Sequence, residues 1–161
     1  MGTRSTIALE FADGTVEQVY CHWDGYLEHN GKMLLEHYSN PFILRDLIDL
    51  GGLSSLRATI GTKHAFSQFD LPKEDVEAFV NLTRDMCTFY ARDRGERLVV
   101  NKFKDYEHYL IHGQWEEYDY ILRNDNGVAV WFVSDNDGDF VTLESAIMDE
   151  QDRIAQEETA E

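Results

Sequence analysis

Positive charge is what this chain of 161 residues has least of: 14 Lys and Arg stand against 31 Asp and Glu, for a formal net charge of −17. Direct contact with nucleic acid or an anionic membrane needs basic patches, so neither is expected as a partner. Cysteine is nearly missing as well. Cys21 and Cys87 are the only two, which excludes a disulfide framework and suits small buried side chains kept reduced in a cytosol. No run approaches the roughly 18 apolar residues of a membrane helix. The opening "MGTRSTIALEF" lacks an apolar signal segment, so a cytoplasmic location is expected. Phosphate-cradling glycine fingerprints, nucleophile elbows and Cys-x-x-Cys pairs do not occur, and neither a cofactor nor a metal site is expected. Repeats and low-complexity linkers are also lacking. With 43% apolar residues, residues 1–161 read as one domain large enough to bury a core.

What is present is a sequence of hairpins and capped helices. Ile7, Leu9 and Phe11 alternate at the period of a half-buried strand, Asp13-Gly14 marks a tight turn, and "VEQVYCHW" returns as the second strand. Asn30 is read as the cap of a helix over 31–38 carrying Leu34, Leu35 and Tyr38. Asn40, Pro41 and Gly51 bound a second helix with Ile43, Leu44, Leu47 and Ile48 on its buried face. Residues 52–69 show no clear pattern. Pro72 begins a short helix with Val76, Phe79 and Val80 inward, and "MCTFYA" and "RLVVNKF" read as strands joined through Gly95. "DYEHYLIHGQW" reads as a short helix closed by Gly113. Asn126-Gly127 between "EYDYILRN" and "VAVWFVS" is the strongest hairpin signal in the chain. Thr142 caps a last helix with Leu143, Ala146, Ile147 and Ile154 inward. The expected fold is α+β: a mainly antiparallel sheet built from hairpins, helices packed on one side, and an acidic C-terminal helix.

The charge is polarised. Residues 135–161 hold ten acids and one base, Arg153, whereas residues 84–104 hold six bases and three acids. The acidic segment is the first candidate surface, through Asp135, Asp137, Asp139, Asp149, Glu150, Asp152, Glu157 and Glu158. Carboxylates in rows along one face can imitate the phosphates of DNA and occupy the basic groove of a nucleic-acid enzyme. A solvated helix face is the plainer reading. "SDNDGDF" (134–140) departs from a calcium loop, having glycine at its fourth position rather than the sixth and Ala146 at the twelfth.

"YCHWDGY" (20–26) is the second candidate. In a strand, Cys21 and Trp23 share one face and Tyr20 and His22 the other, so Cys21 and His22 do not form a dyad. A pairing of Cys21 with His64 or His108 across the fold stays open. The favoured reading is a strand end whose aromatics seal the core edge. In "YARDRGER" (90–97), the Arg92 and Arg94 guanidiniums suit phosphate or carboxylate recognition, although neighbouring acids are their simpler partners. No catalytic residue is assigned.

"TRSTIALEFADGTVEQVYCHWDGYLEHNGKMLLEHYSNP" and "LGGLSSL" resemble a family of small phage and prophage proteins to which no activity is attached. The likeness rests on Thr-Arg-Ser-x-Ile at Thr3 to Ile7, on Tyr20 to Tyr26, and on Gly-x-x-Leu-Leu-x-x-Tyr at Gly31 to Tyr38. "YARDRGE" and "EEYDYILRNDNGVAVWFV" (116–133) are similar too. It extends to about residue 134 and leaves out the acidic tail. At "GYLEHNG" this chain departs from a Pro-Ser-Gly turn common in the family. The resemblance implies a phage accessory protein acting in the host bacterial cytoplasm. The leading expectation is a non-enzymatic inhibitor that binds a host protein, a defence or nucleic-acid-processing enzyme, by DNA mimicry through the acidic face. The alternative is a binder or enzyme for a phosphorylated small molecule such as a nucleotide signal, using His22, Trp23, Tyr26, Arg92 and Arg94. A third reading is an assembly accessory without a pocket.

Overall fold

The alternation of Ile7 and Leu9 becomes β1 (Ser5–Glu10), and the Asp13-Gly14 turn returns the chain antiparallel as β2 (Val16–Cys21). Asp13 holds that turn by accepting hydrogen bonds from the Thr15 amide at 3.0 Å and hydroxyl at 2.6 Å. The second hairpin forms as expected from β6 (Tyr118–Asp125) and β7 (Val128–Asp135). Asn126 and Gly127 both have positive φ, at 53° and 86°, the backbone twist that a two-residue hairpin loop requires. In this computed structural model, which describes residues 2–135 and 138–159, the two hairpins join through a parallel pairing of β1 with β6.

The remaining strands are short: β3 (Leu53–Ser55), β4 (Thr88–Phe89), β5 (Asn101–Phe103) and β8 (Val141–Thr142). Among the described residues the sheet has eight strands in the order β4-β3-β2-β1-β6-β7-β8, with β5 also on β2. Two pairings are parallel, β1 with β6 and β2 with β3, and the other five are antiparallel. The α+β class with a mainly antiparallel sheet is therefore observed.

Ile7, Leu9, Val19, Cys21, Tyr120, Leu122, Trp131 and Val133 face the larger core. There they meet α1 (Lys32–His37), α2 (Pro41–Ile48) and the acidic α6 (Leu143–Thr159). Asn40 caps α2 by accepting from the Phe42 amide at 2.9 Å, with Pro41 at the first helical position. Leu44, Leu47 and Ile48 are wholly buried, each contributing about 1.5–3 kcal/mol, while Ile43 is exposed. The other sheet face carries a smaller cluster of Ala8, Val16, Ile121, Phe103 and Tyr109. Tyr109 comes from α5 (Tyr106–His112), which is capped by Asp105 and closed by Gly113.

Besides Ile43, expected on the buried face of α2 but exposed, three local expectations are corrected. Asn30 caps nothing: residues 27–31 form a wider turn that runs into α1, and the Asn30 side chain is buried. Its amide donates to Ser5 Oγ and the Trp23 carbonyl at 3.3 Å and to Cys21 Sγ at 3.4 Å, because a buried amide must find partners. "MCTFYA" and "RLVVNKF" do not make a third hairpin. The chain leaves β4 after two residues and coils into α4 (Tyr90–Arg94), which Gly95 ends at φ 72°; β5 then joins β2 instead. Val80 in α3 (Val76–Thr83) is exposed, since that helix lies on the surface with no wholly buried residue. No described helix is long and apolar enough to cross a membrane.

Candidate functional site

"YCHWDGY" is a corner. Tyr20 and Cys21 end β2, and the His22 and Trp23 amides continue its pairing by donating to the Leu53 and Ser54 carbonyls at 3.0 Å. Asp24 then turns with φ 58°. The Gly25 amide donates to the Thr3 carbonyl at 2.8 Å. A Cβ on Gly25 would stand 2.8 Å from Ser5 Cβ, so only glycine allows this approach. Tyr120 closes the corner by donating its hydroxyl to the Gly25 carbonyl at 2.6 Å. The Thr-Arg-Ser start and the Asp-Gly-Tyr segment are thus one packed unit.

Cys21 is a core residue. Its side chain is wholly buried, and burial pushes its thiol up to about 12, leaving it neutral and unreactive. Its sulfur meets Asn30 and the Trp23 carbonyl, and no histidine is bonded to it. The His64 ring is committed elsewhere, with Nδ1 at 2.7 Å from the Ala65 carbonyl and Nε2 at 3.0 Å from the Cys87 carbonyl. His108 and His112 stand one turn apart on α5, a spacing that the sequence reading passed over. Among the described residues, however, no group of three His, Cys, Asp or Glu side chains is placed to hold a metal.

Trp23 leaves the corner exposed and lines a hollow of about 380 Å³ beside β3 and β4, together with Asp24, Ser54, Arg57, Phe66 and Arg84. Phe66 stacks on Tyr90 with ring centres 5.7 Å apart, and the Arg94 guanidinium lies over it at 4.2 Å. "YCHWDGY" and "YARDRGE" therefore do meet, through β3 and Phe66. Of the expected ligand residues only Trp23 lines the hollow: Arg94 lies over Phe66 and Tyr90 and pairs with Glu96, and the His22 ring packs edge-on to Trp23 at 4.7 Å. Tyr26 does not line the hollow and lies by His29 instead. Arg92 is spent internally: it donates to the Ile60, Gly61 and Cys87 carbonyls and to Asp93. Arg57, Arg84 and Phe66 were missed, because they come from a loop without pattern and a helix end, which pairing alone brings together.

The acidic candidates divide. Asp135, Asp139, Asp149 and Glu150 line one hollow of about 360 Å³ between β7, β8 and α6, with Arg153 its only base among the described residues. Asp135 also lines the neighbouring hollow of about 700 Å³, where Glu116, Glu117 and Asp119 add carboxyls and, among the described residues, no base appears. Burial first, then the charges of Glu150, Asp135 and Glu117, push the Tyr118 hydroxyl up, as expected in a negative field. Asp152, Glu157 and Glu158 lie outside both hollows. At about 100° per residue the α6 acids splay around the helix, so they form no single row. Arg153 pairs with Glu150 at 2.6 Å and Glu157 at 2.5 Å. Asp137 lies outside the described residues. Glu116 and Glu117 were legible only as an acidic pair before a strand, "WEEYDY".

No family model, no curated protein and no solved structure matches the chain.

Proposed function

We propose that this chain is a phage-like accessory protein that binds and inhibits a host protein of defence or nucleic-acid processing through its acidic surface. The observation that carries the reading is the continuity of Asp135, Asp139, Asp149 and Glu150 with Glu116 and Glu117 through the shared Asp135. Carboxylates so concentrated repel one another. Their juxtaposition costs stability unless a partner of opposite charge offsets it. The resemblance of the Thr3 to Ile7 and Tyr20 to Tyr26 segments to phage proteins supplies the biological setting. A basic groove that ordinarily holds nucleic acid is the complementary surface, and the inhibition is steric: the occupied groove no longer admits DNA or RNA.

The test is capture of host proteins by the tagged wild-type chain and by a variant carrying D135N, D139N, D149N and E150Q, at low and high salt. The expected result is a partner held by the wild type, weakened by salt, displaced by added duplex DNA, and not held by the variant. Equal recovery by the variant, or indifference to competing DNA, overturns the proposal.

A further inference from the structure

The hollow beside Trp23 has the opposite character to the acidic surface. Arg57 and Arg84 line it, and neither has a carboxylate partner among the described residues, although acids outnumber bases by more than two to one. Each guanidinium is aimed by one internal bond: Arg57 Nη1 donates to the Arg84 carbonyl at 2.8 Å, and Arg84 Nη2 to Asn81 Oδ1 at 2.9 Å. The other guanidinium N–H groups make no bond within the described residues. Asp24 is the only acid among the described residues of the lining. Beside these cations stands an indole that is 43% exposed, with Phe66 and Ser54 in the same lining.

We infer that this hollow binds a nucleoside phosphate, its base stacked on Trp23 and its phosphate held by Arg57 and Arg84. Three features point to that class. A planar exposed indole is a sequence-tolerant platform for a base. Paired guanidiniums match a phosphate more closely than they match a neutral group. The volume of about 380 Å³ falls within the range of small-molecule sites. The net charge of the chain does not forbid it, because charges more than about 8 Å away are screened at physiological ionic strength. The same charge disfavours a long polyanion, so the ligand is a mononucleotide or short oligonucleotide rather than a nucleic-acid strand. This site is independent of the acidic surface and stands or falls separately.

The experiment is titration of the full chain with AMP, GMP, CMP and UMP, followed by calorimetry and by amide NMR shifts. Adenosine, ribose 5-phosphate and inorganic phosphate serve as part-ligands. At least one mononucleotide is expected to saturate the protein below the millimolar range, at least about tenfold tighter than each part-ligand. Arg84→Gln and Arg57→Gln should each weaken it about tenfold while melting like the wild type, and Trp23→Phe should weaken it less than Trp23→Ala. The four-site acidic variant should bind as the wild type does. The inference is overturned if no mononucleotide saturates, if inorganic phosphate or adenosine alone binds as well as the nucleotide, or if folded Arg84→Gln binds unchanged.

Discussion

Arg92 clasps the carboxylate of the next residue, Asp93, with Nε at 3.0 Å from Oδ1 and Nη2 at 3.1 Å from Oδ2. The same carboxylate accepts from the Phe89 amide at 2.8 Å and the His64 amide at 3.1 Å. One buried charge thus ties α4, β4 and the loop before α3 together. Burial by itself would raise the Asp93 carboxyl, but the Arg92 guanidinium and the two amides outweigh it and hold the carboxyl below its ordinary value. Its contribution is therefore present above the ordinary carboxylate range and lost as pH falls through the depressed folded value. Asp93→Asn should cost roughly 3 kcal/mol, since it leaves the largely covered Arg92 guanidinium without its counter-charge. Urea unfolding at neutral pH measures this, and an unchanged midpoint would show that the clasp contributes nothing.

Asp119 should have the opposite pH dependence. Burial first, and the nearby Glu116 last, push its carboxyl up to about 7 despite hydrogen bonds from Thr6 and the Glu116 amide. The fold prefers the neutral form, so this group's stabilisation is full below its unfolded value of 3.8 and declines as pH rises toward about 7. Over that span it costs on the order of a few kcal/mol. Asparagine can still accept the 2.6 Å bond from Thr6 Oγ1. Asp119→Asn should therefore lose less stability than the wild type between about pH 4 and about pH 8. Melting curves at both ends of the range decide it, and parallel losses would place the titrating group elsewhere.

Gly25→Ala should cost about 2 kcal/mol or more by overpacking, because its Cβ would meet Ser5 Cβ and the Thr3 carbonyl oxygen, each at 2.8 Å. Gly14 has φ 91° but nothing within 4 Å of its Cβ position, so Gly14→Ala should cost only about 1 kcal/mol of backbone strain. Comparing the two denaturation midpoints separates close approach from conformational preference. Equal losses would contradict the corner geometry.

Cys21 and Cys87 should resist iodoacetamide in the native protein and react fully in urea. Both are buried, and burial raises both thiols, Cys21 to about 12, so the reactive thiolate is scarce and shielded. Mass spectrometry of the alkylated chain gives the count. Rapid modification of native Cys21 would mean that the corner opens.

Local signals determined a good part of this protein. The turns at Asp13-Gly14 and Asn126-Gly127, the Asn40 cap, the Asp105 to Gly113 helix and the inward stripe of α6 needed only alternation, helical period and turn chemistry, all of which act within a few residues. The excess of acid at the C-terminus was equally plain. What only the tertiary structure decided depends on pairings across the chain. β3 is too short to show a period, and it exists because Leu53 pairs with Cys21. That pairing sets Arg57 and Arg84 beside Trp23. Arg92 was expected to pair with a neighbouring acid, and Asp93 takes it, but only the fold added the carbonyls of the loop at 60–61 to its partners. Asn30 had the chemistry of a cap, but Ser5 and the end of β2 offered its buried amide better partners. Hydrophobic period is written locally, whereas the destination of a buried polar group is set by whichever partner the packed core brings within about 3 Å.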